Sequence, residues 1–439
     1  MFKAVARLVA AVKHDRRGNV AIMAAIAMPV LVGSLGLSAE AASWYNGRRA
    51  MQNAADSAAI AAATNGKAET YAAEARAVAA QYGYVSGLDG VMVTASNTAA
   101  CPGGGNGCYN VTISRAQRLL LAQAIGFGGD TTLGGQPAKL ISASALAIQA
   151  NAPREYCVLA LAGSGAQQGI RANGVLKADL TGCSVMSNTD AVCNGHDLDA
   201  DYGAAHGINN GCGNSRASKV DVVADPYADL KSNIPADPCS FYHQAPKKKN
   251  DPLLPSTNRF HGLESRTSIN ICGDAELSGP VTISGGGTVL IIRNGSLDLK
   301  GYTLSTADGS ALTIVFSGAD NSRDHRPIGN GMFDIEAPRT GPWKGVAMYQ
   351  DPRLTGGVDV SEAGNAPAWN ITGLVYMPRA SVTFSGTVNK ASNGASCFGM
   401  VVDNLRINGT AEIFAHGECP RAGLTLPYSL VPSRGQLVS

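Results

Sequence analysis

The chain has 439 residues, with 35 Lys and Arg against 33 Asp and Glu, and only 15% of its residues are charged. So even a balance leaves no concentrated basic surface and argues against an electrostatic nucleic-acid binder; 45% hydrophobic content argues against disorder. The length allows two or three domains, and 52 glycines make the chain Gly-rich.

The first predicted element is a membrane span. Residues 20–39, VAIMAAIAMPVLVGSLGLSA, carry no charge and have the length of a bilayer-spanning helix. Lys3, Arg7, Lys13, Arg16 and Arg17 precede it, opposed only by Asp15, which predicts an N-inside orientation with everything after residue 40 exported. Ala39-Glu40-Ala41 has the small-x-small form of a signal-peptidase site, so a cleaved leader is the competing reading. The apolar run is longer than a leader needs, and a retained single-pass anchor is expected. Pro29 bends such a helix without breaking it.

The helix is predicted to continue through residues 41–64, which are rich in Ala, and to stop at Asn65-Gly66. Met51, Ala55, Ala58 and Ala62 recur at helical spacing, and Gln52 and Asp56 lie one turn apart beside them. Small side chains permit close helix packing. Ala55, Ala58, Gln52 and Asp56 are therefore the expected surface for a partner helix. Trp44 and Tyr45 fall where aromatic rings favour the lipid–water boundary. A second short helix should follow, with Tyr71, Ala75, Val78 and Tyr82 on one face and Gly83 as its stop.

Asp15-Arg16-Arg17-Gly18-Asn19-Val20-Ala21, the apolar span, Glu40, and Arg49-x-x-Gln52-x-x-Ala55-Asp56-x-Ala58-Ala59 together resemble the N-terminal domain of TadG-like Flp pilus-assembly proteins. The resemblance covers about residues 13–64. It implies a membrane anchor and other pilus-assembly or envelope proteins as partners. Glu40 stands where the family often has Asp. Type IV prepilins carry Glu five residues after the cleavage Gly, whereas this chain has Met23 after Gly18, which speaks against a processed pilus subunit.

Residues 67–150 read as a small α+β module. The runs 91–94 and 109–113 flank Cys101 and Cys108 and predict a hairpin whose tip the two sulfurs pin; a short helix over 116–125 and a strand over 140–148 follow. From residue 151 to 439 short apolar strands are broken by Gly, Asn and Ser, among them 281–283, 289–292, 297–299, 312–316, 374–376, 382–384, 400–402 and 413–414. That density suits a parallel β-helix, with a β-sandwich as the alternative. One helical insertion is expected at 225–230, with Asp225 as cap and Pro226 in its first turn. The whole chain is thus read as α+β and mainly β: an anchor with extended helix (1–66), the module (67–150) and a solenoid-like domain (151–439).

All ten cysteines lie beyond residue 100, in keeping with an oxidising compartment, and the spacing singles out only the Cys101–Cys108 pair. Chemical motifs fail. No metalloprotease, P-loop or dinucleotide fingerprint occurs, and Ser164 lacks the first Gly of a nucleophile elbow. Asp197, Asp199 and Asp201 alternate as in a calcium loop, but the Gly and the twelfth-position acid are misplaced. No cofactor or metal is predicted. The expectation is a non-enzymatic, single-pass inner-membrane component of Flp/Tad-type pilus or envelope assembly, its bulk in the periplasm, partnered by the lipid bilayer and by assembly proteins. The alternative is a β-helix protein that binds or cleaves envelope polysaccharide, using acids drawn from Asp298, Asp334, Glu336, Asp359 and Glu362 and sugar-stacking Trp343 or Trp369.

Overall fold

A computed structural model describes residues 18–102, 104, 106–162, 168–173, 178–194, 198–248, 250, 253–356, 358–363, 368–385, 388–389, 397–408, 411–412 and 419–438. The basic flank before residue 18, Ser164, Asp197 and the run 413–414 lie outside these residues. The chain divides into two compact units, one formed by residues 1–152 with 431–439 and the other by residues 153–430.

The first unit is built on one continuous helix, α1 (Gly18–Asn65), with Pro29 inside it. Two different environments share that helix. In the first half Met23, Ile26, Leu31 and Leu35 are 66, 69, 60 and 69% exposed, a cost in water that only another apolar phase removes. Among the described residues this is the one helix long and apolar enough to cross a membrane. In the second half Met51, Ala54, Ala55, Ala58, Ala59, Ala62 and Ala63 are buried against a second helix, α2 (Tyr71–Gln81), and a sheet. Gly66 ends α1 with a positive φ of 64°, a conformation that glycine adopts without strain.

That sheet runs β1 (Val91–Ala100), β2 (Asn106–Arg118), β4 (Gln136–Glu155), then the C-terminal strand Tyr428–Leu437, with β3 (Thr131–Leu133) paired to β4. The pairs β1–β2, β2–β4 and β3–β4 are antiparallel. Alternation puts Val91, Val93, Val111, Ile113, Ile141, Ala143, Ala145 and Ala147 on the helix-facing side. Small residues on both partners let α1 lie close to the sheet. Gly435 shows how close: a Cβ there would meet the Ile60 carbonyl oxygen, while its N–H donates to Thr64 Oγ1 at 2.8 Å.

Two expectations change here. The predicted helix over 116–125 is instead the end of β2 followed by a single 3₁₀ turn, Ala122–Ile125, because residues 115–118 keep extended pairing with β4. The expected strand over 140–148 is much longer, Gln136–Glu155.

The second unit is a solenoid. Its described strands form one hydrogen-bonded network in which every pairing is parallel. Successive rungs stack in register: Leu290 on Ile269, Ile314 on Leu290, Met348 on Ile314. Inward residues of these rungs form a continuous apolar column, with Trp369 between Phe333 and Phe384 at centroid distances of 6.4 and 5.7 Å.

Rung order does not follow chain order. Strand Phe398–Asn408, late in the chain, carries on its free edge Val158–Ala160 and Gln168–Asn173, which are early. From there the stack continues through Ala178–Ser187 and Leu198–Ala205 to Ser215–Ser218 at one end. The strand Arg259–Glu264 belongs to the rung at the opposite end. The described residues between 219 and 258 therefore return along the outside as a strap. Val223, Tyr227 and Ile234 seat on Tyr349, Tyr376, Leu374 and Val315 of the solenoid face. The expected helix at 225–230 is only a 3₁₀ turn, Ala228–Asn233; Asp225 accepts the Tyr227 N–H and the Tyr376 hydroxyl instead of capping a helix.

Five disulfides join Cys101–Cys108, Cys157–Cys183, Cys193–Cys212, Cys239–Cys272 and Cys397–Cys419, leaving no free thiol.

Candidate functional site

In the first unit the site of interest lies where α1 passes from its exposed apolar half to its buried half. Glu40 is the first charged residue after the span and is only 7% exposed. Its carboxylate accepts three backbone N–H groups, from Leu120 (2.8 Å), Leu121 (2.8 Å) and Ala122 (2.9 Å). Burial pushes its pKa up and the three N–H donors push it down; the donors win, holding it below the ordinary carboxylate value. The group is thus a charged latch between α1 and the loop that follows β2.

Three further contacts hold the loop and the end of β2 that leads into it. Leu121 Cδ1 occupies the space that a Cβ on Gly36 would need. Trp44 packs on Phe127 at a centroid distance of 6.1 Å. The Gln117 amide donates to Ser43 Oγ at 2.8 Å. The sequence marks Glu40 only as part of the family resemblance; its position as a lone acid among alanines, directly after an uncharged run, was the signal for a buried structural role.

The four residues assigned to a partner helix separate into two pairs. Ala55 and Ala58 have no exposed surface; they face this unit's own helix and sheet. The apolar stripe expected to receive another helix is covered from within, since the small residues bring α1 against β2 and β4. Gln52 and Asp56 do face outward. The Gln52 amide donates to Asp56 Oδ1 (2.8 Å) and to the Ser144 carbonyl (3.0 Å). Both line an open groove of about 550 Å³ with Ser144, Leu146 and Leu437.

Cys101 and Cys108 close the β1–β2 hairpin, with Cα atoms 5.4 Å apart.

On the solenoid, the acids considered for sugar chemistry are tied down. Asp298 pairs with Lys300 Nζ at 2.9 Å, and Glu276 beside it in register pairs with Arg259 at 3.0 Å. Asp334 accepts from the Asn370 amide at 2.6 Å, and Glu336 accepts from Arg339 at 2.7 Å. Asp359 and Glu362 lie on the strand Val358–Ala363. Trp343 and Trp369, offered above as sugar-stacking rings, are 5% and 1% exposed and belong to the interior. Asp199 and Asp201 of the calcium-like run accept from Asn214 Nδ2 (2.7 Å) and the Gly182 N–H (3.1 Å). No group of three or more metal-ligating side chains occurs among the described residues.

One solenoid corner carries a buried polar column that pattern reading missed. Asp351, 1% exposed, receives Arg353 through Nε (2.9 and 3.1 Å) and Nη2 (2.7 Å), and Ser317 Oγ at 2.7 Å. Burial raises its pKa, and the arginine and hydroxyl lower it further than burial lifts it. Next to it the Gln350 amide donates to the His325 carbonyl at 3.0 Å, and Gln350 Oε1 accepts the Arg379 N–H at 3.0 Å. Asp351, Ser317 and Gln350 are satisfied within the protein, while Arg353 keeps more than half of its side chain in solvent.

Residues 18–65, which are α1, match the family model described as putative Flp pilus-assembly TadE/G-like. No curated protein and no solved structure matches the chain.

Proposed function

We propose that the protein is a non-enzymatic, single-pass component of Flp/Tad-type pilus or cell-envelope assembly. It sits in the inner membrane with its N-terminus in the cytoplasm and its two folded units in the periplasm. The observation that carries this reading is the TadE/G-like match over α1, a helix whose first half is exposed and apolar and whose second half is the core of a folded unit. Support for the orientation comes from the basic residues before the span and from the use of every cysteine in a disulfide. The outward Gln52–Asp56 groove is the surface we assign to an assembly partner.

The runner-up, a polysaccharide-acting β-helix, draws on the parallel solenoid. Against it, Asp298, Asp334 and Glu336 are held by cations or amides, whereas glycoside cleavage needs two carboxyl groups facing one substrate.

Deleting the gene and restoring it with the intact chain tests the role: surface pili should be lost and recovered. Unaltered piliation in the deletion strain would refute the assembly role. Reporter fusions after residue 70 test topology, and activity of a cytoplasm-only reporter there would overturn it.

A further inference from the structure

We propose that the loop of residues 119–127 is a second membrane contact, seated in the apolar boundary of the leaflet beside the end of the span. This rests on the anchor reading above.

Three observations place it there. The first is level: Glu40, directly after the uncharged run, holds the loop through Leu120, Leu121 and Ala122, and Leu121 packs on Gly36, one helical turn inside that run. If residues 20–39 cross the bilayer, Leu121 lies at lipid depth. The second is chemistry. Residues 119–129, LLLAQAIGFGG, contain no charge, and Arg118 and Asp130 bracket them. Leu120 is 79% exposed, Leu121 46% and Phe127 38%, beside a helix whose Leu35 is 69% exposed. Together they continue the apolar surface of the span sideways rather than forming an isolated patch.

The third is the backbone. An irregular loop enters an apolar phase only where its polar groups are satisfied. Here Glu40 takes three N–H groups, Gly126 N–H donates to the Gln123 carbonyl (3.0 Å) and Phe127 N–H to the Ala122 carbonyl (3.1 Å). The Leu119 N–H donates to the Pro137 carbonyl at 3.4 Å, and the Gln123 amide donates to the Leu119 carbonyl at 3.4 Å. Six backbone N–H groups of the loop and the carbonyls of Leu119, Ala122 and Gln123 are thus satisfied within the protein, which lowers the cost of taking the loop out of water. Such shallow insertion fixes the rotation of the first unit about α1, which a lone helix leaves undetermined.

Because every native cysteine is in a disulfide, the variants Leu120→Cys, Leu35→Cys and Asn53→Cys in the full chain each offer one free thiol for an environment-sensitive fluorophore. Asn53 is the exposed control, 13 residues beyond Glu40 and so about 20 Å further along the helix. The labelled proteins are reconstituted in phosphatidylcholine–phosphatidylglycerol vesicles with and without brominated acyl chains. Blue-shifted emission and bromolipid quenching at 120 as at 35, with neither at 53, is the expected result. Quenching at 35 with position 120 behaving like 53 would overturn the loop proposal and leave the anchor standing. Absence of quenching at 35 would overturn the anchor reading and this inference with it.

Discussion

The Glu40 latch permits a quantitative test. In Glu40→Gln the side chain keeps its size but loses its charge, and its NH2 group turns a donor toward N–H groups that need an acceptor. A hydrogen bond to a charged group contributes about 1.5–3 kcal/mol. The three bonds share one carboxylate and the loop can turn toward solvent, so they do not add in full. A total of about 3 kcal/mol is the reasonable figure, equivalent to roughly a hundredfold in an opening equilibrium. Hydrogen exchange in detergent or nanodiscs reads it directly. The amides of Leu120, Leu121 and Ala122 should exchange on the order of 10²-fold faster in the variant, while those of β2 and β4 stay near wild type. The same latch has a pH signature. Its folded-state pKa is lowered from 4.5, so its contribution is complete above the unfolded value and is lost as pH falls through the folded one. Protection of the three amides should therefore be lost in the wild type as pH falls from 4.5 through the lowered folded-state value, and be flat with pH in the variant. Unchanged protection in Glu40→Gln at neutral pH would refute the claim that the carboxylate holds the loop.

Four other outcomes follow from the packing. Ala55→Leu and Ala58→Leu should each destabilise the first unit by about 1–3 kcal/mol through overpacking, lowering folded yield before any effect on a partner; normal yield and melting temperature would count against the buried placement. Removing Cys239–Cys272, with a sequence separation of 33, should cost about 3.7 kcal/mol on the loop-entropy model, against about 2.4 kcal/mol for Cys101–Cys108 with a separation of 7; paired double-serine variants compared by denaturant unfolding would check the order. Asp351→Asn weakens the bonds from Ser317 and Arg353, but Arg353 is more than half exposed and water rehydrates it, so solenoid stability should fall by about 1–2 kcal/mol near neutrality. Since the Asp351 pKa is depressed, that difference should be full above pH 4 and shrink as pH falls through the lowered value, a trend that melting curves across pH would expose.

How much of this was legible in the sequence depends on the range of the interaction. The apolar helix running on to Asn65, the β1–β2 hairpin and most solenoid strands rest on local pattern, and the structure has them close to where pattern puts them. What fails is what depends on distant partners. Residues 116–118 read as helical but pair with β4, because cross-strand contacts override a weak local preference. The alanine stripe at 55 and 58 has one appearance whether it meets a foreign helix or its own sheet; only β2 and β4, some fifty to ninety residues later, decide it. Trp343 and Trp369 look like surface anchors in a Gly-rich sequence until stacking puts Phe333 and Phe384 around one and Tyr349 beside the other.

The strap has the same origin and carries a structural consequence. A solenoid rung buries its apolar edge only against neighbouring rungs. Here the chain enters the stack in its middle: the strand at 158–160 has Met400–Val402 on one side and Val185–Ser187 on the other. Residues 158–218 build outward to one end, after which the chain must reach the other end before it can continue. The return segment crosses a face whose residues point outward and are nonetheless apolar, including Tyr349, Tyr376, Leu374 and Val315. Those residues would be poor choices for an uncovered face. Tyr349 and Tyr376 stack on each other at 4.7 Å, and both reach the strap: the Tyr376 ring meets Tyr227 edge-on at 6.0 Å, Tyr349 donates to the Tyr227 carbonyl (3.1 Å) and Tyr376 to Asp225 (2.7 Å). Arg293 reaches the Pro235 carbonyl at 2.7 Å, and Cys239–Cys272 ties the strap's far part to the strand Ser268–Cys272 beside the terminal rung. The covered face is therefore explained by chain topology alone, and the apolar and aromatic residues on it give no reason to look for a ligand there.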